Sequence, residues 1–152
     1  MVKFIIYVFI VIILLQIIFK DIKEKIISNK SNLLLLVLGI LLGVLENNLY
    51  QRFLGSAVYT LPFIFIYSYG SDFLNKECMG VGDIKLIMNI GFLLKFQSFY
   101  KILLFINISF IIPLLFIFLK YLLTRKISNE IAFGPFLVLS FILILILEKY
   151  GI

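Results

Sequence analysis

The sequence predicts an all-α protein, a polytopic membrane helix bundle of about six transmembrane helices with both termini outside. Three observations predict it. Of the 152 residues, 63% are hydrophobic and only 14% are charged; the apolar residues gather into six runs; and the connectors between those runs are brief. A soluble domain of this size is about half apolar and needs polar side chains to cover its core, which this chain does not supply. At about 20 residues per crossing, six helices consume most of the chain, so residues 1–152 read as a single integral-membrane domain.

The first run, Phe4–Phe19, follows Lys3 and spans about 24 Å at 1.5 Å per residue, short of the roughly 30 Å of bilayer hydrocarbon. Its helix is therefore expected to continue past Lys20, which Ile22, Ile26 and Ile27 allow, and to draw Asp21 to the inner membrane edge. The run is too long for a signal-peptide core and no small-x-small cleavage site follows it, so it reads as a retained helix. The second run, Leu33–Leu45, carries Gly39 and Gly43 at the G-x-x-x-G spacing that lets helices approach closely. The third and fifth, Phe53–Tyr69 and Ile102–Leu119, hold Pro62 and Pro113, tolerated in membrane helices where neighbours satisfy the freed backbone groups. The fourth, Ile84–Leu94, is the shortest and must borrow from its flank, which pulls Asp83 and the glycines before it toward the same inner edge. The sixth, Ile131–Leu147, has Gly134 and Pro135 near its head, where proline suits a first helical turn.

Charge gives orientation rather than a nucleic-acid face. The net charge is +6, but the basic residues sit beside apolar runs, so no nucleic-acid partner is expected. Alternate connectors place Lys20, Lys23, Lys25, Lys30, Lys76, Lys85, Lys120, Arg125 and Lys126 on one side, and Lys3, Arg52, Lys95, Lys101 and Lys149 on the other. The positive-inside rule assigns the larger group to the cytoplasm.

Composition also removes much chemistry. Without histidine there is no Ser-His or Cys-His pair, no H-E-x-x-H zinc site and no His-ligated haem. The lone Cys78 excludes an internal disulfide and a C-x-x-C knuckle. No metal and no cofactor are expected. Carboxylates, hydroxyls, Lys and Arg remain.

Two carboxylates stand out because an ionisable group near hydrocarbon is costly and commonly faces a bundle interior or a wet cavity. Asp21-Ile22-Lys23 and Asp83-Ile84-Lys85 share a tripeptide pattern and, by the depth argument, lie at similar depth on one side. Each aspartate can also be read as a solvated interfacial charge, with Asp21 paired to Lys25 at i+4. Gly80-Val81-Gly82-Asp83 puts two glycines before the second carboxylate, permitting close backbone approach. Two carboxylates brought together oppose double ionisation and share a proton, supplying a base for water and an acid for a leaving amine.

Gly80-Val81-Gly82-Asp83-Ile84-Lys85-Leu86 resembles the G-x-G-D-x-K-L signature of type IV prepilin peptidases, aspartyl membrane proteases that cut leader peptides from prepilins and pseudopilins. Asp21-Ile22-Lys23 through Ile27-Ser28-Asn29 resembles that family's first aspartate motif, which ends Ile-Pro-Asn, and Phe133-Gly134-Pro135 is similar to its Phe-Gly-Pro segment. The resemblance covers nearly the whole chain. It implies Asp21 and Asp83 as the catalytic pair, activating water without a covalent intermediate. It implies substrate contacts for Gly80, Gly82, Lys85, Lys23, Asn29, Gly134 and Pro135, with a prepilin-like protein carrying a short basic leader as partner, at the cytoplasmic membrane.

Residue by residue, simpler roles stand beside those. Gly80 and Gly82 give a flexible helix entry, and Gly134 and Pro135 either line the site floor or begin helix six. Lys23 and Lys85 lie about 200° around a helix from the aspartates, so they are expected to snorkel to headgroups, Lys85 having the better claim to a site role. Asn29 is expected to bond backbone in the first loop, and Glu24, Asp72 and Glu77 read as solvated charge. Ser28 stands where the family has proline, and the connector after the first helix has no room for the cysteine-rich insertion associated with N-methylation, which implies a peptidase without the methylase part.

Two other readings compete. A presenilin-type G-x-G-D protease needs a Tyr-Asp first motif and a Pro-Ala-Leu segment, and the chain has neither. A non-enzymatic membrane subunit or small transporter would use the aspartates to carry ions or protons.

Overall fold

The computed structural model describes residues 1–74, 79–125 and 131–150. Lys76, Glu77, Cys78 and Lys126, all weighed above, lie outside the described residues. All six apolar runs are helices: α1 Val2–Glu24, α2 Asn29–Glu46, α3 Leu49–Leu74, α4 Val81–Leu94, α5 Phe99–Thr124 and α6 Gly134–Lys149. No strand occurs among the described residues. The chain folds as an all-helical membrane bundle.

Element ends follow local chemistry. α1 runs past Lys20 as its length required, and stops where Lys25 turns to φ 53° and its backbone N–H bonds the Asp21 carbonyl. α2 gains a turn ahead of Leu33 and reaches 18 residues, so it is longer than its apolar run alone. α5 likewise extends beyond its run at both ends. α6 begins at Gly134 rather than Ile131, with Pro135 in its first turn, where the missing N–H costs nothing. Pro62 and Pro113 sit inside continuous helices.

By length and composition α1, α2, α3 and α5 can each cross a membrane, whereas α4, at 14 residues, spans only about 21 Å. The short helix is the buried one. α4 packs against α2, α3 and α6, and Leu86, Ile87, Ile90, Phe92 and Leu94 are all buried. α1 pairs with α2 and α6, and α5 with α6 and α3. Outward-facing Phe4, Phe9, Phe19, Phe65 and Phe118 leave an apolar surface suited to lipid.

The tightest crossing joins α3 and α4. A Cβ on Gly55 would lie 2.6 Å from the Gly91 carbonyl oxygen, and one on Gly91 would lie 2.8 Å from Tyr59 Cβ. Small residues here let two backbones touch, as membrane helices require in place of a hydrophobic drive between them. On α2, Gly39 and Gly43 instead make room for side chains, those of Phe92 and Leu49 respectively. Tyr59 and Phe63 each meet Phe105 edge to face, at 5.4 and 6.1 Å between ring centres, tying α3 to α5.

Successive helices alternate in direction, so contacts sort into two ends. At one, the end of α1 meets the start of α6 through Asp21 and Gly134, and the starts of α2 and α4 meet through Asn29 and Lys85. At the other, Tyr7 of α1 bonds Glu46 at the end of α2, and Arg52 at the start of α3 bonds carbonyls at the end of α4.

Candidate active site

Asp21 lies in the last turn of α1 and is 4% exposed. Its Oδ2 accepts the backbone N–H of Gly134 at 2.8 Å, a buried bond between residues 113 apart in sequence. Asp83 lies in the first turn of α4, where its Oδ2 accepts the Gly80 N–H at 3.2 Å. Beside it the Asp83 N–H donates to the Gly80 carbonyl at 3.0 Å, an i→i+3 bond of the first turn, so the Asp83 carboxylate caps the helix start. The capping role therefore occupies one carboxylate oxygen and leaves the other.

The two carboxylates come from different helices, at the same end of the bundle. Among the described residues, neither has a Lys or Arg partner. Nor does Oδ1 of either accept a hydrogen bond from them. Lys25 gives its backbone N–H to Asp21 instead of pairing with its carboxylate, and Lys20 pairs with Glu24 at 3.7 Å in an exposed i,i+4 bridge.

Ile27, in the connector between α1 and α2, is where the segments meet. It is buried, and a Cβ on Gly82 would fall 3.1 Å from Ile27 Cβ. A Cβ on Gly134 would fall 2.8 Å from Asp21 Oδ2 and 3.2 Å from Ile27 Cδ1. Glycine at both positions lets α4 and α6 close onto the connector. Gly134 thus both begins α6 and contacts an aspartate, while Pro135 beside it is partly buried. Ser28, the N-cap of α2, adopts φ −66° and ψ 130°, the φ that a proline would impose.

Lys85 and Asn29 have a partner that the sequence did not suggest: Lys85 Nζ donates to Asn29 Oδ1 at 2.8 Å, because the α2 and α4 starts lie side by side. One turn further in, Asn89 Nδ2 donates to the Asn32 carbonyl and Oδ1 at 3.0 and 2.9 Å. Lys23 is exposed, with no ion pair or hydrogen bond from its side chain among the described residues. Gly80 is exposed at the entry to α4. Sequence reasoning missed Ile27 as a meeting point and the N–H of Gly134 as a donor. The nearest signal was that both fall inside the segments carrying the resemblance.

Among the described residues, the multi-pass bundle thus presents at one end two carboxylates that have no cation partner. The profile of the type IV leader peptidase family matches residues 8–119, well over half the chain and including both aspartate segments, and the chain belongs to that family. It is a peptidase. Comparison with curated proteins and with solved structures gives no match.

Proposed function

We propose that the chain is an aspartic-type endopeptidase that removes the short basic leader from prepilin-like precursors at the cytoplasmic face of the cell membrane, without N-methylation. The observation that carries it is the convergence at Ile27 of the Asp21, Asp83 and Gly134 segments, with no basic partner on either carboxylate among the described residues.

One aspartate, ionised, takes a proton from water as its oxygen attacks the scissile carbonyl. The other, protonated, bonds the carbonyl oxygen, and the tetrahedral species collapses as the leaving amine receives a proton. The N–H groups of Gly134 and Gly80 hold one oxygen of each carboxylate, leaving the other without a hydrogen bond among the described residues. Gly80, Gly82 and Pro135 form the approach along which an extended substrate lies. Lys85 and Asn29 border that approach while bonded to each other, and Lys23 contributes positive charge at its rim. The excess of Lys and Arg at the aspartate end supports a cytoplasmic site and termini outside. Residues 1–152 act as one domain.

The test is cleavage of a substrate with a basic leader, a junction glycine and an apolar helix by the purified protein in liposomes. Asp21→Asn and Asp83→Asn variants run beside it. Cleavage after the glycine that both substitutions abolish is expected. Well-folded protein that cuts none of several such substrates overturns the reading in favour of a non-enzymatic subunit. Cleavage that survives either substitution overturns the acid pair.

A further inference from the structure

A cavity of about 330 Å³ lies away from the aspartates, between α1 and α6 with α4 as its floor. We propose that it is a binding slot for one acyl chain of an anionic phospholipid from the leaflet opposite the aspartates. Its body is apolar: Ile10, Leu14, Leu42, Val138 and Phe141 form a buried wall. Val11, Leu15, Ile142 and Leu145 form rims that are roughly half exposed, so the slot opens sideways to lipid.

Length selects the occupant. From Tyr7 to Ile18 along α1 the slot runs about 16 Å, close to one leaflet of a bilayer whose hydrocarbon is about 30 Å thick. Its half-exposed rims open it sideways, so an acyl chain of a neighbouring lipid can lie along it.

Charge selects the headgroup. The polar mouth holds Arg52, Lys95, Glu46 and Glu148. Both carboxylates are already engaged: Glu46 by Arg52 at 2.8 Å, and Glu148 by Lys101 at 3.6 Å and the Gln97 amide. Lys95 has no such partner among the described residues, so once Lys101, behind the lining, is counted against Glu148, the cluster carries one positive charge in excess. Its backbone is fixed, with φ 53° at the end of α4 and the next N–H, that of Phe96, bonded to the Gln51 carbonyl at 2.7 Å. A lipid phosphate completes that end.

The experiment reads binding, not cleavage, so it stands apart from the proposed activity. Wild-type protein is extracted from liposomes of equal phosphatidylglycerol and phosphatidylcholine, and retained lipid is counted by native mass spectrometry. One phosphatidylglycerol per chain, enriched at least tenfold over phosphatidylcholine, is expected. Lys95→Gln should reduce that enrichment to near parity while lipid of either kind is still retained; Leu14→Trp, which fills the slot, should remove retained lipid altogether. A wild-type protein with no retained lipid or no anionic preference overturns the proposal, as does Lys95→Gln with undiminished enrichment or a polypeptide found in the slot. Because the wild-type measurement decides by itself, a variant that fails to fold does not shield the inference.

Discussion

The two ends of the bundle handle charge in opposite ways. At the arginine end, Arg52, 2% exposed, donates to Glu46 at 2.8 Å, to Asn48 at 2.7 Å and to the Phe92 and Leu93 carbonyls at 3.2 and 3.3 Å. Its guanidinium thereby ties α2, α3 and α4 and caps the orphan carbonyls at the end of α4. At the aspartate end the carboxylates have backbone N–H donors and, among the described residues, no cation. A carboxylate neutralised by arginine is committed to structure. One held by a glycine N–H is oriented and still free to exchange a proton.

The sharpest way to break this comparison is to damage each end and read both stability and cleavage. Asp21→Asn or Asp83→Asn is expected to lower cleavage by about 10²–10⁴-fold while thermal unfolding in nanodiscs stays close to wild type. Arg52→Met should do the reverse, costing about 2–4 kcal/mol of stability, somewhat below the full cost of stranding a buried charge because the Glu46 side chain is 20% exposed. Adding Glu46→Gln should recover part of that loss in a double-mutant cycle. If Arg52→Met leaves stability intact, the arginine end is not the fastener described.

Gly134→Ala tests positioning alone. Its Cβ would press on Asp21 Oδ2 from 2.8 Å, and a displacement on the order of 1 Å at a catalytic group costs about 10²-fold in rate, so turnover should fall with little change in folding. Gly55→Ala should show the opposite signature, about 1–3 kcal/mol of destabilisation from prying α3 off Gly91, with residual activity per folded molecule unchanged. Least of all, Lys101→Ala removes a partly exposed bridge to Glu148 and should cost under about 1 kcal/mol in the same unfolding assay.

Much of this was legible in the chain. Apolar runs announced every helix, and arithmetic on their lengths foretold both the extension of α1 through Asp21 and the shortness of α4. Legibility failed where partners are distant in sequence. Nothing local to Gly134 says that its N–H serves Asp21 across 113 residues, or that Lys85 and Asn29 meet. Arg52 read only as a charge in a connector, because burial of a cation is set by the three helices around it. The G-x-x-x-G pattern drew notice to Gly39 and Gly43, yet the closest backbone approach involves Gly55 and Gly91, which form no pattern within one helix. Helix ends slipped for a related reason, since α2 and α5 continue into polar residues once neighbouring helices give those residues partners or an exposed edge.

The brevity of α4 bears on how this molecule responds to the membrane around it. A lipid-facing helix must tilt or strain when bilayer thickness changes, but a helix sheathed by α2, α3 and α6 meets protein on those flanks and takes its depth from them. Asp83 therefore rides on a mount insulated from the lipid, while the long outer helices absorb the mismatch. The depth of Asp83 should hold constant across bilayers of short and long acyl chains, giving a peptidase calibrated by its own scaffold instead of by the thickness of the film in which it floats.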